Sequence, residues 1–203
     1  MYSVSKPVNI CAKDGKNVFD DYNTKSGCDG GPGYVCNTNQ PWVVNDKLAY
    51  GFVAGNADGL TEKDLCCACY EITFTSLPNG PSSASGIIGK KMVVQVTNTG
   101  ADLSNNHFDI QIPGGGVGIF NGCQSQWGAP SDGWGQRYGG VSSRGDCAKL
   151  PAELQAGCQF RFDWMKGADN PTMEFRRVQC PDAITKKSGC ARTDPYEKTY
   201  PVV

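Results

Sequence analysis

Apolar and polar residues alternate in several short runs along this chain. Tyr70, Ile72 and Phe74 share one face, with Glu71, Thr73 and Thr75 on the other, and Met92, Val94 and Val96 repeat the pattern. Phe108, Ile110 and Ile112 form a third run. A period of two marks a half-buried strand, so three strands are predicted here. In the third, Asp109 and Gln111 point away from the apolar face. Two later runs, Phe160/Phe162/Trp164 and Met173/Phe175, predict further strands.

Residues 77–88, rich in Ser, Pro and Gly, read as a connecting loop. Pro113 and the three glycines after it break the third strand, and residues 128–140 form a long Gly-rich loop to which Trp127, Trp134 and Tyr138 are assigned. Helical pattern is scarce. Residues 151–156 are one short candidate, and residues 181–188 are another, with a proline near the start and Gly189 as the stop. Residues 11–39 lack apolar periodicity and read as loops held by covalent bridges. Short strands, long loops and few helices predict a mainly β fold, a closed barrel in preference to an α/β sheet. No internal repeat is found.

The 203 residues suit a single domain able to bury a substantial core. Nineteen Lys and Arg oppose 20 Asp and Glu, so neither a nucleic-acid footprint nor a polybasic membrane patch is present, which points to an uncharged partner. No stretch approaches the roughly 20 apolar residues of a membrane span, and the residues before Cys11 lack the apolar core of a signal peptide. Eleven cysteines with 26 glycines are the usage of a secreted protein, where disulfides persist. The Cys66-Cys67-Ala68-Cys69 string is also a conceivable metal site, but the distant second Cys-x-x-Cys pair that structural zinc favours is missing, so disulfides are preferred. An odd count leaves at least one thiol without a partner.

His107 is the only histidine, which excludes any site built on two. There is no Gly-x-Ser-x-Gly elbow, and Gly114-Gly115-Gly116 lacks the Gly-Lys-Ser/Thr of a phosphate loop, so it reads as a tight turn. Carboxylate chemistry remains, which suits glycoside hydrolysis because that reaction needs a protonated and an ionised carboxyl group flanking the bond. Spacing alone does not lift Asp109 above an ordinary solvated carboxylate, and Asp102 equally reads as a turn residue bonding its own backbone. Trp127, Trp134 and Tyr138 offer flat faces for stacking on sugar rings, or they plug their loop onto the barrel.

Taken together, the strings Cys66-Cys67-Ala68-Cys69-Tyr70-Glu71, Asn106-His107-Phe108-Asp109, Pro113-Gly114-Gly115-Gly116-Val117-Gly118-Ile119-Phe120, Arg137-Tyr138-Gly139-Gly140 and Ala168-Asp169-Asn170-Pro171 resemble the family 45 glycoside hydrolases, secreted endo-β-1,4-glucanases. The resemblance runs from Cys11 to Cys190 with the motifs in family order. It implies a six-stranded double-psi β-barrel with a long open groove, and inverting hydrolysis of β-1,4-glucan without metal or organic cofactor. Asp109 matches the general acid, whose protonated state the apolar Phe108 and Ile110 and a closing loop would favour. Asp102 matches a loop aspartate that assists the acid, His107 an orienting residue, and Tyr138 a groove tyrosine. The protein is expected to be a secreted monomer.

An inverting enzyme also needs a carboxylate base about 6.5–9.5 Å from the acid. The family places it in a Tyr-Trp-Asp-Cys-Cys motif ahead of the first matched cysteine, and no such string occurs in these 203 residues. A segment of the family is therefore expected to be missing. Asp14, Asp20 and Asp21 lie near in sequence but outside any such motif, and read as surface loop carboxylates. The family pairing implies bridges Cys11–Cys36, Cys67–Cys190, Cys69–Cys180 and Cys147–Cys158, leaving Cys28, Cys66 and Cys123 for partners in the missing segment. Activity is then expected to be low or absent. A second reading follows from the same deficit: expansins resemble this family in the barrel and the His-x-Asp motif, lack the base, and loosen wall polysaccharide without cutting it. A third recruits one of Asp14, Asp20 or Asp21 as base.

Overall fold

The computed structural model describes residues 4–78, 82–100, 102–195 and 197–203, so Ala101 and part of the 77–88 connection lie outside it. Six strands make one sheet: β1 (Trp42–Asn45), β2 (Leu48–Asn56), β3 (Cys69–Ser76), β4 (Lys91–Asn98), β5 (His107–Ile110) and β6 (Thr172–Val178). The path runs β1-β2-β4-β3-β6, with β5 added to β2. β2 lies parallel to β4, while one edge of it is shared, β1 pairing antiparallel near Tyr50 and β5 pairing antiparallel near Ala54. The mainly β class agrees with the sequence. Barrel closure does not follow, because among the described residues no ladder joins β6 to β1 or β5.

The three alternating runs lie where they were predicted. Tyr70, Ile72, Phe74, Met92, Val94, Val96 and Phe108 all enter one buried cluster. β1 and β2 were not foreseen: β1 is a four-residue strand whose last three residues are exposed, so it has no apolar face to read, and β2 is buried on both faces. Val53 joins that first cluster, while Phe52 joins a second on the opposite side with Val93, Val178 and Ile184. A strand covered on both sides shows no alternation to read.

The run at Phe160, Phe162 and Trp164 is a correction. These residues belong to the 12-residue helix that spans Ala152–Asp163 and to its C-cap, not to a strand. Phe160 and Trp164, four apart, stack at 5.3 Å on one side of this helix and feed the main cluster. Phe162 packs instead against a third cluster with Val141, Cys147, Leu150 and Cys158. Burial on two sides of a helix mimics a period of two over five residues. The predicted helix at the C-terminal end is present over Asp182–Ser188 and closes at Gly189 in the left-handed conformation, φ 73°.

Four disulfides tie the loops to the sheet: Cys11–Cys36, Cys67–Cys190, Cys69–Cys180 and Cys147–Cys158. These are the pairs the family resemblance implied, and Cys28, Cys66 and Cys123 are free thiols. Cys28 faces the short helix Gly122–Trp127 closely enough that a Cβ on Gly122 would sit 3.2 Å from its sulfur. Burial pushes the Cys123 thiol up, and the neighbouring Cys28 adds to the shift. Cys66 is also pushed up, by burial and then by the charge of Glu62.

Glu71, on β3, is buried and takes hydrogen bonds from Arg176 at 2.8 Å and Lys91 at 3.0 Å. Burial by itself would raise its carboxyl, but these two cations outweigh it and hold the group below its ordinary 4.5. A depressed folded value contributes stability above the unfolded value, and that contribution is lost as pH falls through the folded value. Glu71→Gln is therefore expected to cost about 2–3 kcal/mol near neutrality, since charged hydrogen bonds are worth about 1.5–3 kcal/mol each. Denaturant melts should show the gap between variant and parent closing below about pH 4.

Candidate active site

β5 positions the candidate acid. Antiparallel pairing sets Ala54 opposite Asp109 and Asn56 opposite His107, so the two site residues, two apart, project from the same face of the strand. His107 Nε2 lies 2.8 Å from Asp109 Oδ1. The backbone N–H of Ser104 donates to His107 Nδ1 at 3.3 Å. A ring nitrogen that receives an N–H keeps its lone pair, so the imidazole proton sits on Nε2 and is donated to Asp109. Asp109 Oδ1 thereby has His107 as its partner.

The Asp109 side chain is 61% exposed. Phe108 is buried on the other side of the strand, so the apolar surroundings expected for Asp109 are absent: alternation takes its sequence neighbours away from it. Asp102 lies exposed on the loop between β4 and β5, its Oδ1 folded toward Gly100. That loop borders a cleft of about 300 Å³ that Leu60 and Glu62 also line.

The Gly-rich segments on either side of residues 119–134 lean on each other backbone to backbone. Val141 N–H donates to Gly114 O and Gly118 N–H to Arg137 O, both at 2.9 Å. A Cβ on Gly140, which has φ 71°, would sit 2.2 Å from Gly114 O. Only glycine fits there, and the run compared with a phosphate cradle is constrained in the same way, Gly114 standing at φ 76° and a Cβ on Gly116 falling 2.5 Å from Arg137 O. Tyr138 projects from this paired loop at 79% exposure, available to a ligand. Trp134 is half-buried against the third cluster and so helps to seat its loop. Trp127 lies outside that loop, as the last residue of the helix that Gly128 caps at φ 69°.

Of the aspartates weighed as bases, Asp14 accepts the backbone N–H groups of Asn17 first and Lys16 second, which hold its carboxyl below the usual range. Asp21 accepts Asn23 N–H at 2.9 Å. Both shape turns. Asp20 is exposed. Sequence reading missed Asn56, Asp58 and Asn106, which fasten the loop before β5: Asn106 stands at φ 54° and its Oδ1 accepts Asp58 N–H at 3.0 Å. Its signal was the Asn-Asn pair before His107, a turn composition. Among the described residues no cluster of three metal-ligating side chains occurs and no helix is long and apolar enough to cross a membrane.

A mainly β, disulfide-tied domain presenting a His–Asp pair beside a glycine-paired loop is the setting in which residues 2–191 match Glycosyl hydrolase family 45, and the chain belongs to that family. The chain is 57% identical to an endoglucanase of Cryptopygus antarcticus over 191 residues, 94% of this chain and 80% of that protein. It is 43% identical to an endoglucanase of Phaedon cochleariae, over 91% of this chain and 73% of the relative. The crystal structure of a cellulase from the Antarctic springtail Cryptopygus antarcticus superposes with a TM-score of 0.86 at 57% identity, covering 94% of this chain and 87% of that one.

Proposed function

We propose that this protein is a secreted endoglucanase that cuts β-1,4-glucosidic bonds within cellulose chains by single displacement with inversion. The observation that carries the reading is the His107–Asp109 pair on the exposed face of β5 in a family 45 chain. Asp109 is the general acid. With Oδ1 held by His107, the proton leaves from Oδ2 to the departing glycosidic oxygen as that bond breaks. Water attacks the anomeric carbon from the opposite face and yields its proton to a base. Asp102 assists from its loop, Tyr138 contacts glucosyl units, and Trp127 and Trp134 are secondary contacts. No metal or organic cofactor enters this scheme.

The base is not assigned within these 203 residues. The family's Tyr-Trp-Asp-Cys-Cys string is absent from them, and the aspartates near Cys11 are occupied in turns or lie on the surface. Four disulfides support an oxidising compartment. Products released from soluble β-1,4-glucan are expected to be oligosaccharides of mixed length whose new reducing ends are α-anomers, followed by NMR before mutarotation. β-Anomers would overturn the inverting mechanism. Loosened wall polysaccharide with no new reducing ends would favour the expansin-like reading.

A further inference from the structure

We propose that Asn56 is a positioning residue that sets the ring tautomer of His107, and through it the presentation of Asp109. Asn56 ends β2, is half-buried, and is the register partner of His107. Its Nδ2 donates to Leu103 O and to Ser104 O, both at 3.2 Å. Leu103 C=O and Ser104 N–H belong to one peptide group. That group is planar and trans, so its oxygen and hydrogen point in opposite directions. Holding the oxygen on Asn56 therefore aims the hydrogen, and its partner is His107 Nδ1 at 3.3 Å.

The consequence runs along a chain of named atoms. With Nδ1 serving as acceptor, Nε2 carries the proton and donates to Asp109 Oδ1. The opposite tautomer would present a lone pair to a carboxylate, and Asp109 would swing free. The other end of the turn is fixed by Asn106, and the peptide held by Asn56 is the one whose N–H meets the imidazole. Asn56 touches neither substrate nor Asp109 in this scheme and acts only through His107.

The inference rests on the reading of Asp109 as the acid for its catalytic meaning, but its test does not depend on activity. His107 is the only histidine, so long-range proton–nitrogen correlation on 15N-labelled protein reports one imidazole without assignment ambiguity. The parent is expected to show a protonated Nε2 and an unprotonated Nδ1, two well-separated nitrogen shifts. Asn56→Ala, and the near-isosteric Asn56→Asp, are expected to draw the two shifts together as the tautomers mix. A parent with its ring proton on Nδ1 overturns the proposal even if neither variant folds. So do folded variants that keep the parent separation. Asp109→Asn tests the other reading separately, since unchanged cleavage there removes Asp109 as acid and leaves the tautomer result intact.

Discussion

Residues 1–203 by themselves are expected to release reducing ends from soluble β-1,4-glucan about 10²–10⁴-fold more slowly than a family member with both carboxylates, the usual contribution of one general acid or base. In the proposed scheme the acid is Asp109, which stands exposed with one oxygen held by His107. What is not found is a carboxylate to take the proton from water. Asp14 and Asp21 each accept backbone N–H groups of their own turns, which explains their presence without catalysis. Reducing-sugar assays against purified cellulase at equal concentration measure the deficit. Parity between the two would contradict it.

The second large effect concerns the frame. Replacing Cys69 and Cys180 together by Ala is expected to cost about 3 kcal/mol, because Cys67–Cys190 already closes the outer loop and this second cross-link then closes only about a dozen further residues of unfolded chain. This bridge spans a separation of 111 residues and joins β3 to the segment after β6. The paired strands hold those ends together in any case, so the native contacts change little and the loss falls on the unfolded side. Against a typical total of about 5–15 kcal/mol, denaturation midpoints should fall far enough to be obvious. A shift under about 1 kcal/mol would show that the sheet alone constrains these ends, contrary to the chain-entropy argument.

How much of this could be read from the chain depends on how each residue is used. β3, the apolar side of β4 and β5 were legible because one face of each carries the main cluster, and the same alternation placed Asp109 on the outer side. β2 was invisible because Phe52 and Val53 are both buried, on opposite faces. Residues 160–164 were misread because the helix is covered on two sides. The disulfides followed from the family resemblance, not from spacing. The clamp of Asn56 on the 103–104 peptide was out of reach, because it spans 47 residues and leaves no local pattern.

The proposed scheme, with Asp109 as acid and no base assigned within residues 1–203, has a distinctive chemistry. Azide is a nucleophile that needs no deprotonation, so it can replace the base-activated water on the face opposite the leaving group. The most direct measurement is therefore the rate at which residues 1–203 cleave a soluble β-1,4-glucan with and without added azide, for the parent and for Asp109→Asn. Azide is expected to raise the parent rate and give the α-glycosyl azide, and the azide-assisted rate is expected to fall at least about 10²-fold when Asp109 is replaced. Full turnover without azide, or azide-assisted cleavage unchanged in Asp109→Asn, would contradict it.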